Sequence, residues 1–235
     1  MLTEFRHVLN TLGNPVDLFF YGAGCGSNDI QEHLQAMLSA VFLNARCHCE
    51  GDLLGACRAL CGNQPGMVGI LGTGSNLCYY DGQTISLQKV SSGYILGDEG
   101  SGNHIGKRLL KDYLEERMPQ HLRTMFYDEY RMTAPQLIDR LYSQPRPNRF
   151  LASFVPFADR HQDDPYIIAV LEYCFSSFFS QLDFFPGQRA LPLNLVGGLA
   201  HSFQKQLQRV AVLNGVNLGF LLPNPMPGLI EFHSK

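Results

Sequence analysis

A glycine-rich turn between two apolar segments, at residues 72–75, constrains the fold of this chain more than any other feature. The segment Met67–Leu71 is an apolar run typical of a strand. A second short run, Leu77–Tyr80, ends at Asp81-Gly82, a dipeptide that strongly favours a hairpin turn. The stretch therefore predicts a strand, a tight polar turn and a second strand.

The turn at 72–75 is also a candidate anion-binding site. Gly72 and Gly74 let the backbone approach a ligand closely, and Thr73 and Ser75 place hydroxyl groups beside backbone N–H groups. Concave sets of N–H groups bind anions, above all phosphate. A hairpin turn without a ligand is the alternative interpretation, because short Gly/Ser turns are common hairpin connections.

Two more glycine loops follow predicted strands. The segment Val16–Tyr21, predicted as a buried strand, leads into a loop that contains Gly22 and Gly24, and the strand Leu193–Val196 leads into Gly197-Gly198. Open α/β sheets bind ligands at the carboxyl ends of their strands, so these loops are candidate binding segments. For the first loop, close packing of the following helix against the strand is the alternative and the favoured interpretation.

Acidic residues stand at the starts of two predicted helices. Asp52 precedes the helix Leu53–Cys61, where capping is the ordinary role, but the helix dipole also keeps the carboxylate ionised and able to accept a proton from a substrate hydroxyl. Asp98 and Glu99 lie in the glycine-rich segment Ser91–Gly102, before another helix, so capping is again the alternative. Carboxylates spaced among glycines can also face a cleft and bind sugar-type hydroxyls or a metal ion.

The composition argues against several classes of protein. Hydrophobic residues make up 45% of the 235-residue chain and charged residues 17%, which indicates a globule with a buried sheet. A net charge of −3 without a basic block predicts no nucleic-acid partner. No apolar run approaches the ~18 residues of a membrane span, and the N-terminus lacks a signal-peptide pattern. We therefore expect a cytoplasmic protein with no membrane partner.

The seven cysteines are expected to be reduced thiols, because their number is odd and no secretion signal precedes them. Cys47-His48-Cys49, with Cys57 and Cys61, is a weak candidate for a zinc site. Its spacings are Cys-x-Cys and Cys-x₃-Cys, whereas zinc sites commonly use two Cys-x₂-Cys pairs. Cys57 and Cys61 lie one helical turn apart on an apolar stretch, which suits core residues. We predict no metal site from these residues.

The order of the predicted elements gives the fold class. Strands joined by helices indicate an α/β fold with a partly parallel sheet and flanking helices. The hairpin at Asp81-Gly82 adds an antiparallel strand, so the sheet is expected to be mixed.

Taken in chain order, the glycine and acidic motifs resemble those of the ribonuclease-H-like, actin-type ATPase fold shared by sugar kinases and Hsp70. The chain is most similar to the BadF/BadG/BcrA/BcrD ATPase family, in its N-acetylglucosamine-kinase-like branch. The resemblance covers nearly all of the sequence. It is carried by five motifs in order: Tyr21–Cys25, Glu50–Asp52, Gly72–Asn76, Gly93–Ser101 and Val196–Gly198.

The resemblance implies an ATP-dependent kinase that transfers a phosphoryl group to a hydroxyl of an amino sugar, with Mg²⁺ as the metal cofactor and a small-molecule sugar as the partner. Asp52 would be the catalytic base that takes the proton from the sugar hydroxyl. The β- and γ-phosphates of ATP would be held by Gly72, Thr73, Gly74 and Ser75, and the adenosine by Gly197 and Gly198. The sugar would be bound by Asp98, Glu99, Gly22 and Gly24.

The chain departs from the family's pattern at its N-terminus. The family begins with a glycine-rich hairpin, the first phosphate loop, which carries an aspartate that acts through Mg²⁺, and nothing before Phe19 resembles it. We therefore expect an incomplete N-terminal lobe, with residues 1–66 as its remnant and residues 67–235 as the C-terminal lobe. Missing strands would expose sheet edges, favour association such as a homodimer, and leave the chain inactive as it stands.

Two alternatives to a sugar kinase remain open at this stage. A non-catalytic ligand-binding remnant would use the surviving cleft without turnover. An ATPase that activates a dehydratase belongs to the same superfamily, but that class needs a Gly-Gly-Gln-Asp stretch where this chain has Gly-Asp-Glu-Gly at residues 97–100, so it is the weaker alternative.

Overall fold

The apolar segments form two sheets within residues 16–234, the part of the chain that this computed structural model describes. The strands are β1 (Val16–Gly22), β2 (Ala45–Gly51), β3 (Gly66–Leu71), β4 (Ser75–Tyr80), β5 (Ile85–Gln88), β6 (Leu193–Val196) and β7 (Leu218–Leu222). The helices are α1 (Asn28–Val41), α2 (Asp52–Cys61), α3 (Gly93–Leu96), α4 (Gly102–Leu114), α5 (Gln120–Tyr130), α6 (Ala134–Ser143), α7 (Pro147–Ala152), α8 (Val155–Arg160), α9 (Pro165–Phe179), α10 (Gly198–Ser202), α11 (Gln204–Leu213) and α12 (Met226–His233).

The larger sheet has five strands in the order β5-β4-β3-β6-β7. The hairpin pairs β3 with β4 antiparallel, as the sequence predicts, and β5 continues antiparallel to β4. On the other side of β3, strands β6 and β7 run parallel to it. The predicted mixed α/β sheet is therefore confirmed, with β3 at its centre.

Helices cover both faces of the five-stranded sheet, and the period of a strand explains which residues face each side. Met67 and Leu195 belong to the large aromatic-rich core built with α4–α11. Their neighbours Val68 and Val196 point the other way and pack with Leu53 and other residues of α2. Alternate residues of one strand thus supply two cores, which fixes the register of the sheet.

The smaller sheet is a parallel pair, with β1 in register from Val16↔Ala45 to Gly22↔Gly51 of β2. The prediction that Val16–Tyr21 is buried is wrong, because Phe19 is 41% exposed and Phe20 38% exposed. Helix α1 packs on β2, Gly55 of α2 lies against Tyr21, and His233 of α12 stacks on Phe19, but these contacts cover the pair only in part. The expected absence of a phosphate loop before Phe19 concerns residues that lie mostly outside the described part of the chain.

One helical segment, Pro165–Phe184, has the length and hydropathy of a membrane span, contrary to the sequence expectation that no run approaches that size. Most of its large apolar side chains lie in the protein core, whereas Tyr173 and Phe184 are each 53% exposed. The buried ones include Ile167, Val170, Leu171, Cys174, Phe175, Phe178 and Phe179. These contacts identify the segment as the central helix of the large core.

The fold brings the carboxyl ends of two parallel strands together. Ile70 of β3 pairs with Val196 of β6, so the turn at 72–75 and the Gly197 loop begin side by side. Gly197 has a φ of 138° and lies against the end of β3, where an added Cβ would come 2.1 Å from the Leu71 carbonyl oxygen. Only glycine fits this contact, because both the backbone angle and the space exclude a side chain.

Candidate active site

A cavity of about 850 Å³ opens between the two sheets. Its lining comes from the loop after β1, the start of α2, the turn between β3 and β4, the segment before α4, and α7. It gathers most of the residues predicted from the sequence: Gly24, Asp52, Gly72, Thr73, Gly74, Ser75 and Asp98. Glycine loops that are distant in sequence therefore meet an acidic residue in one cleft.

Four predicted residues, Gly22, Glu99, Gly197 and Gly198, do not line this cavity. Gly22 ends β1, and a Cβ there would lie 3.0 Å from the Cys25 sulfur, so its role here is close packing within its own loop. Gly197 lies against the Leu71 carbonyl at the end of β3, and Gly198 follows it at the start of α10.

The turn at 72–75 presents only part of its backbone to the cavity. The Gly72 N–H donates to the Gly74 carbonyl at 3.0 Å, and the Ser75 N–H donates to Asp98 Oδ1 at 3.2 Å. The N–H groups of Thr73 and Gly74 have no acceptor among the described residues. These two donors at the tip are the ones that can bind an anion, and the sequence alone could not tell them from the other two.

The start of α4 holds the turn in place. The Gly102 N–H donates to the Gly72 carbonyl at 2.8 Å, and the Asn103 N–H donates to the Thr73 carbonyl at 3.0 Å. The Asn103 side chain donates to the same Thr73 carbonyl at 3.1 Å and to Asp98 Oδ2 at 2.9 Å. Asn103 is fully buried, and its Oδ1 has no partner in the described residues. The sequence analysis missed this residue, which orients both the turn and Asp98.

Asp98 joins the turn to α4 through both carboxylate oxygens. It has a φ of 58°, a left-handed conformation that Asp adopts more readily than most residues. The N-cap of α4 is Ser101, whose hydroxyl accepts the His104 N–H, so the capping alternative for Asp98 and Glu99 is wrong. The strained backbone at Asp98 is typical of a residue held in place for a site.

Asp52 occupies the first turn of α2 and is half-buried in the cavity wall. The N-cap position is Gly51, so Asp52 is not the N-cap residue, although its carboxyl interacts with N–H groups of the first helical turn. Burial raises the pKa of the Asp52 carboxyl, while hydrogen bonding from the N–H groups of Leu53 and Asp52 itself opposes that rise. From the helix dipole we expected the ionised form of Asp52 to be favoured. The loss of hydration on burial has the larger effect and raises the pKa instead. A carboxylate with a raised pKa is a better proton acceptor.

Comparison with known proteins identifies the family of this chain. No protein-family model matches the chain, and no curated protein matches it. Among solved structures, the "Putative N-acetylglucosamine Kinase" of Porphyromonas gingivalis is 38% identical over 92% of this chain and 77% of its own, with a TM-score of 0.88. The chain belongs to this sugar-kinase family.

More distant structures share the sugar-kinase fold. The "Putative N-acetylglucosamine Kinase" of Chromobacterium violaceum is 21% identical over 88% of this chain and 72% of its own, with a TM-score of 0.65. The ethanolamine utilization protein EutJ of Carboxydothermus hydrogenoformans is 14% identical over 97% and 71%, with a TM-score of 0.53. This chain has two sheets with flanking helices, and its likeness to these structures confirms the fold class expected from the sequence.

The cavity also contains polar residues that were not predicted as site residues from the sequence. The lining includes Gln31, Glu50, Asn76, Gln88, Asn148 and Arg149. Glu50 is separated from Asp52 by Gly51 in the sequence, and its Oε1 is 4.0 Å from the Arg58 guanidinium. Asn148 and Arg149 belong to α7, which follows the turn at 72–75 by more than seventy residues in the sequence. No local pattern links them to the site, because only the packing of α7 brings them there.

The seven cysteines of this chain are all free thiols. Cys57 of α2 lies 3.4 Å from Cys78 of β4, sulfur to sulfur, inside the smaller core. This hydrogen bond and burial raise the pKa of the Cys57 thiol far above its ordinary value. Within residues 16–234, no group of three or more His, Cys, Asp or Glu side chains is placed to hold a metal ion.

Proposed function

We propose that this chain is an ATP-dependent kinase of the BadF/BadG type that phosphorylates an amino sugar such as N-acetylglucosamine. The observation that carries the proposal is the single cavity lined by both Asp52 and the turn at 72–75. The relatives named above support the substrate class. Phosphoryl transfer needs mainly positioning and charge stabilisation, which a rigid turn and a placed carboxylate provide.

The turn would bind the phosphates of ATP. The free N–H groups of Thr73 and Gly74, together with the hydroxyls of Thr73 and Ser75, supply donors on one side of the cavity. Asn103 keeps the turn in one shape by donating to the Thr73 carbonyl from both its side chain and its backbone N–H. A pre-formed set of donors stabilises phosphate charge without rearranging during the reaction.

Asp52 would act as the base. It would accept the proton of the attacking sugar hydroxyl while the oxygen bonds to the γ-phosphorus and ADP leaves. Its burial raises its pKa and so increases its basicity. Asp98 lines the same cavity and would accept hydrogen bonds from sugar hydroxyls, with Gly24 leaving room for the ring.

The remaining predicted residues are proposed on weaker contacts. Gly197 and Gly198 would hold the adenosine, because their loop lies against the end of β3 beside the phosphate turn. Glu99 would assist Asp98, and Gly22 would shape the sugar side through the loop after β1. Residues 1–66 and 67–235 would form two lobes that close on the ligands. The enzyme would be cytoplasmic.

Mg²⁺ would enter the site with the nucleotide. This metal usually keeps several waters and binds through one or two carboxylates and the substrate phosphates. An open cavity lined by Glu50, Asp52 and Asp98 fits that requirement, although the described residues form no closed metal cage. When bound, the ion would neutralise part of the phosphate charge.

A coupled ADP-release assay tests the proposal. N-acetylglucosamine, glucosamine and N-acetylmannosamine would be compared with glucose, using this chain and a form that adds any in-frame coding sequence found upstream of Met1. We expect ATP-dependent turnover of an amino sugar by at least one form. Nucleotide binding without turnover of any sugar by either form would favour the non-catalytic alternative and contradict the kinase.

A further inference from the structure

The charges that line the cavity are unevenly matched. Three carboxylates face it, from Glu50, Asp52 and Asp98, while Arg149 is the one lysine or arginine among the lining residues of the described chain. Glu50 has Arg58 nearby, and Asp98 is held by hydrogen bonds, but neither brings a free positive charge to the cleft. A triphosphate that enters such a site needs cationic partners in addition to backbone N–H groups.

Arg149 is free to supply that charge. Most arginines of residues 16–234 already bind a partner. They are Arg46, Arg58, Arg108, Arg117, Arg123, Arg131, Arg160, Arg189 and Arg209 in ion pairs, and Arg140 over the Phe150 ring. Within the described chain, only Arg146 and Arg149 have side chains without a hydrogen bond, ion pair or ring contact. Arg149 lines the cavity and Arg146 does not, although both are exposed.

The backbone of Arg149 is fixed beside the turn. Its neighbours Phe150 and Leu151 are buried in the large core. Helix α7 packs so closely on α4 that a Cβ at Gly106 would come 1.8 Å from the Leu151 carbonyl oxygen. At the start of α4, a Cβ on Gly102 would lie 3.2 Å from Ala152 Cβ and 3.3 Å from the Gly72 carbonyl oxygen. The end of α7 and the phosphate turn therefore meet at one point of α4.

We propose that Arg149 binds the γ-phosphate of ATP and stays bound to it during transfer. The proposal rests on the proposed kinase function. The bond between the γ-phosphorus and the bridging oxygen of ADP breaks, a bond to the sugar oxygen forms, and the sugar proton passes to Asp52. The guanidinium donates to the non-bridging oxygens throughout, because its planar N–H groups match two phosphate oxygens at once.

Variants of the two unpartnered arginines test this assignment. Arg149→Ala, Arg149→Lys and the matched control Arg146→Ala would be made in the form of the protein that binds nucleotide. Calorimetry with ATP and with ADP would give both affinities, and the coupled assay would give kcat and both KM values. Thermal unfolding would confirm that all variants fold, as expected for exposed side chains without partners.

We expect Arg149→Ala to weaken ATP binding about tenfold and to leave ADP binding unchanged, because ADP lacks the γ-phosphate. We expect kcat to fall by about 10²–10³, as when one stabilising donor is removed, with an unchanged KM for the sugar. Arg149→Lys should retain part of the activity, and Arg146→Ala should match the wild type. Equal ATP affinity in Arg149→Ala and wild type, or an equal loss of ATP and ADP binding, would overturn the assignment. Wild-type protein that binds no nucleotide would overturn the kinase proposal as well.

Discussion

The two sheets of this chain bury their strands to very different degrees. In the five-stranded sheet, Met67 and Val68 are fully buried on opposite faces, because helices cover both sides. In the two-stranded sheet, Phe19 and Phe20 are substantially exposed, and α1 contains no buried residue. The cavity lies between these regions, so one wall is anchored in a large core and the other wall is not.

This difference shows where the site obtains its precision. The turn at 72–75, Asp98 and Arg149 are attached to elements packed in the large core, and hydrogen bonds from Asn103 tie the first two together. Gly24 belongs to the loop after β1, on the side of the cavity formed by the two-stranded sheet. We infer that the phosphate turn and Asp98 are pre-formed, and that the part of the sugar site formed by the Gly24 loop is held less firmly.

The largest expected effect comes from truncating one apolar side chain in each region. Phe178→Ala should lower the free energy of unfolding by about 3–5 kcal/mol, because Phe178 is fully buried in the large core. Met37→Ala on exposed α1 should change it by less than about 0.5 kcal/mol. Urea unfolding measures both. Similar losses for the two variants would show that the two regions do not differ as described.

A smaller effect should follow from filling the contact between α4 and α7. Gly106→Ala should destabilise the protein by about 1–3 kcal/mol, since its methyl group would overlap the Leu151 carbonyl and push α7 away. Gly26→Ala, in the loop after β1 of the two-stranded sheet, has nothing within 4 Å of the added Cβ and is the matched control. Thermal unfolding of both variants decides the comparison, and a neutral Gly106→Ala would contradict the close packing.

The smallest effect concerns pH. His104 Nδ1 accepts the Gly100 N–H at 3.0 Å, which requires an unprotonated nitrogen. Burial lowers the His104 pKa below its ordinary 6.5, Lys107 and Arg108 lower it further, and Glu99 opposes them. The contribution of neutral His104 to the free energy of unfolding is fully present above pH about 6.5. It is lost as the pH falls towards the lowered pKa. The free energy of unfolding of wild type should therefore fall more between pH 7 and 5 than that of His104→Gln, and equal pH profiles would contradict this role.

Sequence reasoning reached the parts of the fold and site that depend on neighbouring residues. The turn at 72–75 and the strands beside it follow from two short apolar runs and the placement of glycines, and Asp52 follows from a helix start. Asn103 and Arg149 were missed because their roles arise from packing between distant helices. The exposure of Phe19 was also missed, because an apolar strand carries no sign of how much of it the rest of the chain covers.

The most direct test of the central claim compares Asp52→Asn with wild type and with Asp139→Asn, an exposed carboxylate outside the cavity. ATP affinity and ATP-dependent phosphorylation of the preferred amino sugar would be measured on the same samples. The account predicts unchanged ATP affinity, undiminished stability at neutral pH because a desolvated charge is removed, and a kcat lower by about 10²–10⁴ only in Asp52→Asn. Wild-type kcat in Asp52→Asn would contradict the account.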